Sequence, residues 1–297
     1  MTILPLNPAD QASPGALRAF LGECRDAARH DGLTKLVSIS LAVDALDPLA
    51  VLESIFEPGE PHFYAERPGI ASAVAGAEAV LMHNARGPGR FASVQGFIDD
   101  TLAHTIAVGD VSAPFGGPHF FTAFAFHDEV EPGEPFPAAR VFVPRWQVAR
   151  AGDTITAVAN LLVAPDADLD ALTARVWRAH GKFRNFEYGA TGILPVNQSG
   201  MGILPMMKHG QDAHATHARG QDARATTEYH TTWDYRAAVA RALDLVAAGE
   251  FQKIVLARAL DLTVPRPLHP LRVLHGLRQR FPDCYSFSLA GGHGPSF

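Results

Sequence analysis

The chain has 297 residues, of which 47% are hydrophobic and 19% are charged, and its formal net charge is −6. This composition is typical of a globular protein with a substantial core and excludes a disordered chain. The acidic balance argues against a nucleic-acid partner, because nucleic-acid binders carry a basic face or stripe. A small anionic ligand needs only a local positive site and is compatible with this composition.

The chain has two cysteines, Cys24 and Cys284, which are too few for a disulfide framework. The first residues have no basic flank followed by a long apolar stretch, so they do not resemble a signal peptide. The sequence also lacks the run of about 18 uninterrupted apolar residues that indicates a membrane span. We therefore expect a cytoplasmic protein without a membrane partner.

Apolar periodicity predicts helices and strands that alternate irregularly through the first 188 residues. The helices are predicted at 16–29, 48–55, 88–105 and 168–181, and the strands at 36–43, 61–67 and twice between 139 and 164 around an Ala-Gly-Asp turn. Because hairpins occur among these elements, we expect an α+β fold with mixed, largely antiparallel sheets and helices packed outside. Residues 1–188 form the N-terminal α/β part in this interpretation.

Residues 189–228 differ from the rest of the chain in composition and contain short repeats. The tetrapeptide GILP occurs at 192 and 202, and GQDA occurs at 210 and 220, so the stretch repeats itself after ten residues. Its composition offers little to bury, which predicts a disordered, low-complexity insertion. The loop carries His209, His214 and His217, which we interpret as solvated, because neither a cysteine partner nor a rigid helix is present to build a zinc site.

Regular patterning returns after the insertion. A helix is predicted at 231–250, with Val239, Leu243 and Val246 on one face, and a strand at 251–262 with the sequence FQKIVLARALDL. A second helix is predicted at 268–281, with Val273, Leu277 and Phe281 on one face. The last predicted strand is CYSFSLA at 284–290.

Residues 233–290, in this order of elements, resemble the chorismate-utilising enzymes, and the lysine in FQKIVLAR points to the isochorismate synthases. Upstream, FGGPHFFTAFAF at 115–126 and VFVPRWQVAR at 141–150 resemble two further strands of that family. The resemblance implies the chorismate-binding, anthranilate synthase component I-like fold, with chorismate as the small-molecule substrate. It also implies that 229–297 is the start of the catalytic region, which is incomplete in this sequence.

The resemblance assigns Lys253 as the catalytic general base, which deprotonates water for attack on C2 of chorismate as the 4-hydroxyl leaves. The chain contains only four lysines against 21 arginines, so a plain surface cation would more often be arginine. A general base must be neutral, and burial among apolar strand residues favours a neutral amine, so we expect Lys253 to be buried beside Val255 and Ala257. From the residues alone, a strand-edge lysine that deters aggregation is the alternative.

Two details qualify the resemblance. Anthranilate synthases usually carry glutamine at the position of Lys253, so the lysine favours an isochorismate synthase or a related salicylate synthase. FGGPHFF departs from the usual Gly-Gly-Phe pattern, and we expect Gly116 and Gly117 to form a bulge or tight bend. We interpret His119 as structural and assign four aromatic residues to the core, namely Phe120, Phe121, Phe124 and Phe126.

The family implies Mg²⁺ as cofactor, but the acidic residues that hold it and the general acid follow a Leu-Gly-x-Ser/Thr-Pro-Glu motif beyond the residues of this sequence. We therefore assign no metal ligand and no cofactor-binding residue. The function implied is isochorismate synthase, feeding menaquinone or siderophore synthesis. The alternatives are a catalytically inactive, truncated remnant of such an enzyme and a salicylate synthase or another chorismate-utilising enzyme.

Overall fold

The computed structural model describes residues 1–4, 13–43, 46–55, 59–188, 229–230, 234–256, 261–262 and 268–292. The predicted insertion at 189–228 and its three histidines lie outside the described residues. The chain divides into two compact units, of which unit 1 comprises 1–201 with 270–297 and unit 2 comprises 202–269. Within the described part of the chain, none of the helices is both long and apolar enough to cross a membrane.

The helices are α1 (Pro14–Asp31), α2 (Pro48–Ile55), α3 (Arg90–Ala103), α4 (Leu169–Tyr188), α5 (Tyr235–Ala247) and α6 (Pro270–Arg280). The strands are β1 (Thr2–Leu4), β2 (Lys35–Val43), β3 (Pro61–Arg67), β4 (Ser72–Ala85), β5 (Thr105–Gly109), β6 (Phe121–Phe124), β7 (Ala139–Ala151), β8 (Thr154–Val163), β9 (Tyr229–His230), β10 (Asp261–Leu262) and β11 (Ser286–Gly291).

One open sheet forms the centre of unit 1. The strand order is β1-β5-β2-β8-β7-β4-β3-β11, and β6 pairs with the first residues of β7. The pairs β1–β5 and β5–β2 are parallel, and all the other pairs described in this sheet are antiparallel. The mixed, largely antiparallel sheet with helices that we predicted is therefore confirmed.

Four helices, α1, α2, α4 and α6, pack on one face of this sheet because the strands alternate, and α3 packs against Ala139 and Val141 of β7. Helices α1 and α4 cover apolar residues of β2, β5 and β8, whose buried members are Val37, Ile39, Ile106, Val108, Leu161 and Val163. Helices α2 and α6 cover the β3–β4 region, where Tyr64, Ala75 and Ala77 are buried. Helix α1 starts at the N-cap Ser13, whose side chain accepts from the Ala16 amide, and ends at Gly32 with φ 71°.

Unit 2 is much smaller in the described residues. Helix α5 begins at Asp234, whose carboxylate accepts from the amides of Arg236 and Ala237. Two residues of β9 pair antiparallel with two residues of β10. None of the residues of α5 is buried.

Three predictions of secondary structure were wrong or incomplete. The strand predicted over 251–262 is not formed at 251–256, which have no regular secondary structure. Helix α6 buries Leu271 and Leu274 rather than the predicted face with Val273 and Leu277. The longest strand of the sheet, β4, was not predicted, because its Ala-rich sequence SAVAGAEAVLMHNA has no clear alternation and only two β-branched residues, Val74 and Val80.

Candidate functional site

The structure places Lys253 in an exposed segment of unit 2. The segment follows α5, and its apolar side chains Phe251 and Val255 are 52% and 78% exposed. The expectation that Lys253 is buried among strand residues was therefore wrong for this structure, since the strand that would bury it is not formed. Ala257, predicted to share the face of Lys253, lies outside the described residues. The role of Lys253 as a base remains a prediction.

The FGG segment forms a tight bend immediately before β6. Phe115 and Gly117 have φ values of 60° and 80°, a region that bulky residues rarely adopt. A Cβ atom at Gly116 would lie 2.5 Å from the Asp110 carbonyl oxygen and 2.8 Å from the Val111 carbonyl. The predicted bend is present, and Gly116 is required by the close approach of the backbone.

Two buried polar side chains of the sheet hold this bend. Ser40 Oγ accepts a hydrogen bond from the Gly117 amide at 2.8 Å, and Gln147 Nε2 donates to the Phe115 carbonyl at 3.0 Å. His119 Nδ1 lies 3.1 Å from the Gly117 carbonyl oxygen and 3.2 Å from Gln147 Nε2. In the tautomer with a proton on Nδ1, His119 donates to the Gly117 carbonyl. In the other tautomer, Nδ1 accepts from the side-chain amide of Gln147. These contacts support the structural role predicted for His119.

The aromatic residues after the bend divide into two groups. Phe121 is 9% exposed and contacts the rings of Phe63 and Phe142, and Phe120 packs partly buried against α3. Phe124 and Phe126 are 40% and 94% exposed. Their assignment to the core was wrong, because β6 ends at Phe124 and the chain leaves the sheet there.

Sequence reasoning missed a carboxylate in the middle of the sheet. Glu78 has φ 56° and lies between Ala77 and Ala79 of β4, next to the register shift in the β4–β7 pairing that falls between Ala79 and Leu81. Its carboxylate accepts from Arg145 Nε at 2.6 Å and from Trp146 Nε1 at 3.3 Å. Both donors belong to the VFVPRW sequence, so this part of the motif holds a β-bulge in the neighbouring strand.

The same motif marks the point where β7 changes its neighbour. Residues Ala139–Phe142 pair with β6, and Trp146–Ala151 pair with β8. Pro144 lies between them and has no N–H to donate. Asn160 Nδ2 donates to the Pro144 carbonyl at 2.8 Å and so satisfies an acceptor that the change of partner would leave unpaired.

A second group of polar side chains links α2, β3 and α6. Arg278 donates to both carboxylate oxygens of Asp47, at 3.0 and 2.9 Å, and its Nε lies 3.7 Å from Glu66. Burial alone would lower the pKa of Arg278, but the hydrogen bond and charge of Asp47 outweigh it and raise the pKa. Burial, followed by the charge of Glu66, raises the pKa of Tyr64. The group fastens α6, and with it β11, to the sheet.

Metal-ligating side chains do not converge in the part of the chain that the structure describes. Among those residues, no three His, Cys, Asp or Glu side chains lie close enough together to hold an ion. Mg²⁺ is held in proteins by carboxylates, waters and substrate oxygens in near-octahedral geometry. The described residues therefore do not fit the Mg²⁺ site that the family implies.

Comparison with known proteins identifies the family. The sequence profile described as "Chorismate binding enzyme" matches residues 20–199 and 203–297, which is most of the chain. The chain therefore belongs to the chorismate binding enzyme family, which confirms the resemblance stated for its motifs.

Two individual proteins are similar to the chain. A protein named putative isochorismate synthase from Aeromonas hydrophila is 39% identical over 61 residues, which are 20% of this chain and 15% of that protein. The structure of MenF, the menaquinone-specific isochorismate synthase from Escherichia coli, is 17% identical with a TM-score of 0.46. That match covers 92% of this chain and 53% of the MenF chain, so the chain spans about half the length of that relative.

Proposed function

We propose that this chain carries the water-activating part of an isochorismate synthase, with Lys253 as the general base. The observation that supports the proposal is a lysine in the FQKIVLAR segment of a chain that belongs to the chorismate binding enzyme family. The 61-residue similarity to a protein named putative isochorismate synthase also supports it. The substrate is chorismate and the product is isochorismate, which supplies menaquinone or siderophore synthesis in the cytoplasm.

In the proposed reaction, the neutral amine of Lys253 accepts a proton from water. The water oxygen forms a bond to C2 of chorismate, the ring double bonds shift, and the bond between C4 and its hydroxyl breaks. A proton is delivered to the hydroxyl that leaves C4, which departs as water. Because one water is added and one is lost, the reaction is an isomerisation. We assign no residue to this second proton transfer and derive no step through Mg²⁺, because the described residues provide no site for the ion.

The exposure of Lys253 favours a second candidate, a chorismate-binding protein that is catalytically inactive. Phe251 and Val255 beside it are also exposed, so these described neighbours do not bury its amine. The two candidates make different predictions. The synthase requires turnover that depends on Lys253, and the inactive protein requires no turnover above background.

The test is chorismate turnover by the purified chain with Mg²⁺ added, followed by chromatographic detection of isochorismate. Removal of a general base typically costs about 10²- to 10⁴-fold in rate, so Lys253→Ala and Lys253→Gln should lose at least about 100-fold. The matched control is Gln252→Ala, an exposed neighbour, which should stay within about 2-fold because it removes no proton acceptor.

Three results distinguish the candidates. Turnover that depends on Lys253 but not on Gln252 supports the synthase. Wild-type turnover no higher than the uncatalysed background supports the inactive candidate. Release of pyruvate together with salicylate would instead identify a salicylate synthase.

A further inference from the structure

Strand β6 has an open edge. It pairs with β7 on one side, and none of the other strands that the structure describes pairs with it. The Ala125 amide donates to the Ala138 carbonyl at 2.9 Å, so the antiparallel pairing turns the N–H and C=O groups of Thr122 and Phe124 away from β7. Both residues are exposed. The outer edge of β6 therefore presents backbone donors and acceptors with which a further strand can pair.

The residues of this edge do not oppose strand pairing. Charged residues and proline at a sheet edge prevent another strand from pairing there, and the β6 sequence FTAF contains neither. The strand is short, so the backbone alone provides only a few hydrogen bonds to a partner. Side-chain contacts beside the edge must supply the rest of the affinity.

Three phenylalanines, Phe91, Phe124 and Phe126, form an exposed aromatic surface beside this edge. Phe124 lies on the α3 side of the sheet, because it is opposite Ala139, which clusters with Val94 of that helix. The ring centroids of Phe91 and Phe124 are 4.7 Å apart, and Phe91 is 54% exposed. Phe126 follows the end of β6 by two residues and is almost fully exposed. Exposed apolar clusters of this kind mark interaction sites.

The segment that follows the aromatic surface, residues 127–136, is acidic. It contains no lysine or arginine and four acidic residues, namely Asp128, Glu129, Glu131 and Glu134. The Gly87 amide donates to the Asp128 carbonyl at 2.7 Å, which holds the segment beside the turn that precedes α3 and Phe91. None of the four carboxylates forms an ion pair with a residue that the structure describes.

Two arginines near the aromatic surface offset this charge only in part. Arg90 begins α3 and is buried, with its guanidinium carbon 4.4 Å from the Phe91 ring centroid. Its Nη2 donates to the Phe126 carbonyl at 3.5 Å. Arg86 is exposed. Because four carboxylates outnumber these two cations, a positively charged partner is complementary to this part of the surface.

We propose that the β6 edge and the aromatic surface dock an extended, basic segment of a partner protein. The segment adds a strand to β6 through the outward backbone groups of Thr122 and Phe124. Its apolar side chains pack on the aromatic surface, and its lysines or arginines are attracted by the acidic segment 127–136. The docking surface does not include Lys253, so it is independent of the proposed proton transfer.

The probe for this surface is the fluorescein-labelled peptide VKFKVKF, and binding is measured by fluorescence polarisation. The peptide VEFEVEF reverses the charge, and VVFFKKK keeps the composition without the alternation that an added strand requires. VKFKVKF should bind saturably, and each of the other two peptides should bind at least about 10-fold more weakly. Added salt should weaken the binding of VKFKVKF several-fold, because it screens exposed charges.

Variants of the aromatic surface test the contact residues. Phe124→Thr and Phe126→Ser should each weaken the binding of VKFKVKF at least about 5-fold, because aromatic anchors carry much of the energy of an interface. Phe287→Ser is the matched control and should leave the affinity unchanged. Phe287 is an exposed phenylalanine of β11, which β7, β4 and β3 separate from β6 in the sheet. Thermal unfolding confirms that each variant is folded.

The charge contribution is tested separately. The double variant Glu129→Gln with Glu131→Gln should weaken the binding of VKFKVKF about 3-fold and reduce its salt dependence. Glu23→Gln is the control, because Glu23 is an exposed carboxylate of α1.

Four results would overturn the proposal. The first is the absence of saturable binding of VKFKVKF to the wild-type chain, and the second is equal affinity for VKFKVKF and VEFEVEF. The third is equal affinity of the wild type, Phe124→Thr and Phe126→Ser for VKFKVKF. The fourth is self-association of the chain in size-exclusion chromatography that Phe126→Ser abolishes, which would assign the surface to a second copy. Because the readout is binding, it does not depend on chorismate turnover.

Discussion

The two units of this chain have similar apolar patterning but very different burial. In unit 1 apolar residues of the sheet and helices form continuous clusters, and side chains such as Leu21, Leu52 and Tyr64 are fully buried. In unit 2 the amphipathic helix α5 has no buried residue in the described structure, and the segment that carries Lys253 is exposed. The difference shows that amphipathic patterning produces a core only where a second element covers the apolar face.

The largest expected effect comes from truncating matched leucines in the two units. Leu52→Ala should destabilise the chain by about 2–5 kcal/mol, because Leu52 is 0% exposed and its removal leaves a cavity. Leu243→Ala should change the free energy of unfolding by no more than about 0.5 kcal/mol, because Leu243 is 63% exposed. Urea unfolding measures both values. A loss above about 2 kcal/mol for Leu243→Ala would show that α5 is packed in solution and would break the contrast.

A smaller effect is expected at the glycines of unit 1. Gly116→Ala should destabilise the chain by about 1–3 kcal/mol, because its Cβ atom would meet the rigid backbone of Asp110 and Val111. Gly96→Ala is the control, since Gly96 lies within α3 with open space around it, and there the change should stabilise by about 0.5–1 kcal/mol. Thermal unfolding of the two variants distinguishes them by sign. Equal, small effects would show that the Phe115–Gly117 bend is loosely held.

The smallest effect concerns the buried thiol of α1. Burial raises the pKa of Cys24 from its ordinary value of 9.0 to about 12. Between these values the folded state binds more protons than the unfolded state, so this contribution to stability is complete below pH 9 and is lost as the pH rises towards 12. The expected loss is about 1 kcal/mol between pH 9 and pH 10.

Comparison with Cys24→Ala isolates this contribution, because the variant should lose less stability than the wild type over the same pH interval. Thiol labelling of the native chain at pH 8 provides the matching kinetic measurement. Cys284, which is exposed, should react, and Cys24 should not. Labelling of both thiols at the same rate would show that α1 opens readily and that the core of unit 1 is less firmly packed than its burial indicates.

Much of unit 1 was predictable because its signals are local. The strand at 36–43, the helix at 48–55 and the hairpin around Gly152 were each predicted to within about two residues, since alternation, helical spacing and turn residues act over short distances. The bend at Gly116 and Gly117 was also predictable from the residues. The family was recognisable from FQKIVLAR together with two upstream motifs, and the sequence profile confirms it.

The polar contacts around those motifs were not predictable. Ser40 and Gln147 hold the bend from strands far away in sequence, and Glu78 meets Arg145 only because β4 and β7 are neighbours. Arg140 likewise reaches Gly291 across 151 residues. No local pattern reports which buried polar groups will become partners, because cross-strand register is set by the whole sheet.

Local composition and spacing determined the class of fold and the positions of most helices and strands in unit 1, and the resemblance of the motifs indicated the family and Lys253 as the candidate base. The tertiary structure alone decided which face of α6 is buried, that Phe126 is exposed while Phe121 is not, and that Lys253 lies exposed in a segment, 251–256, without strand pairing. The physical reason is that a strand needs hydrogen-bonding neighbours and an apolar face needs a cover, and both come from distant parts of the chain.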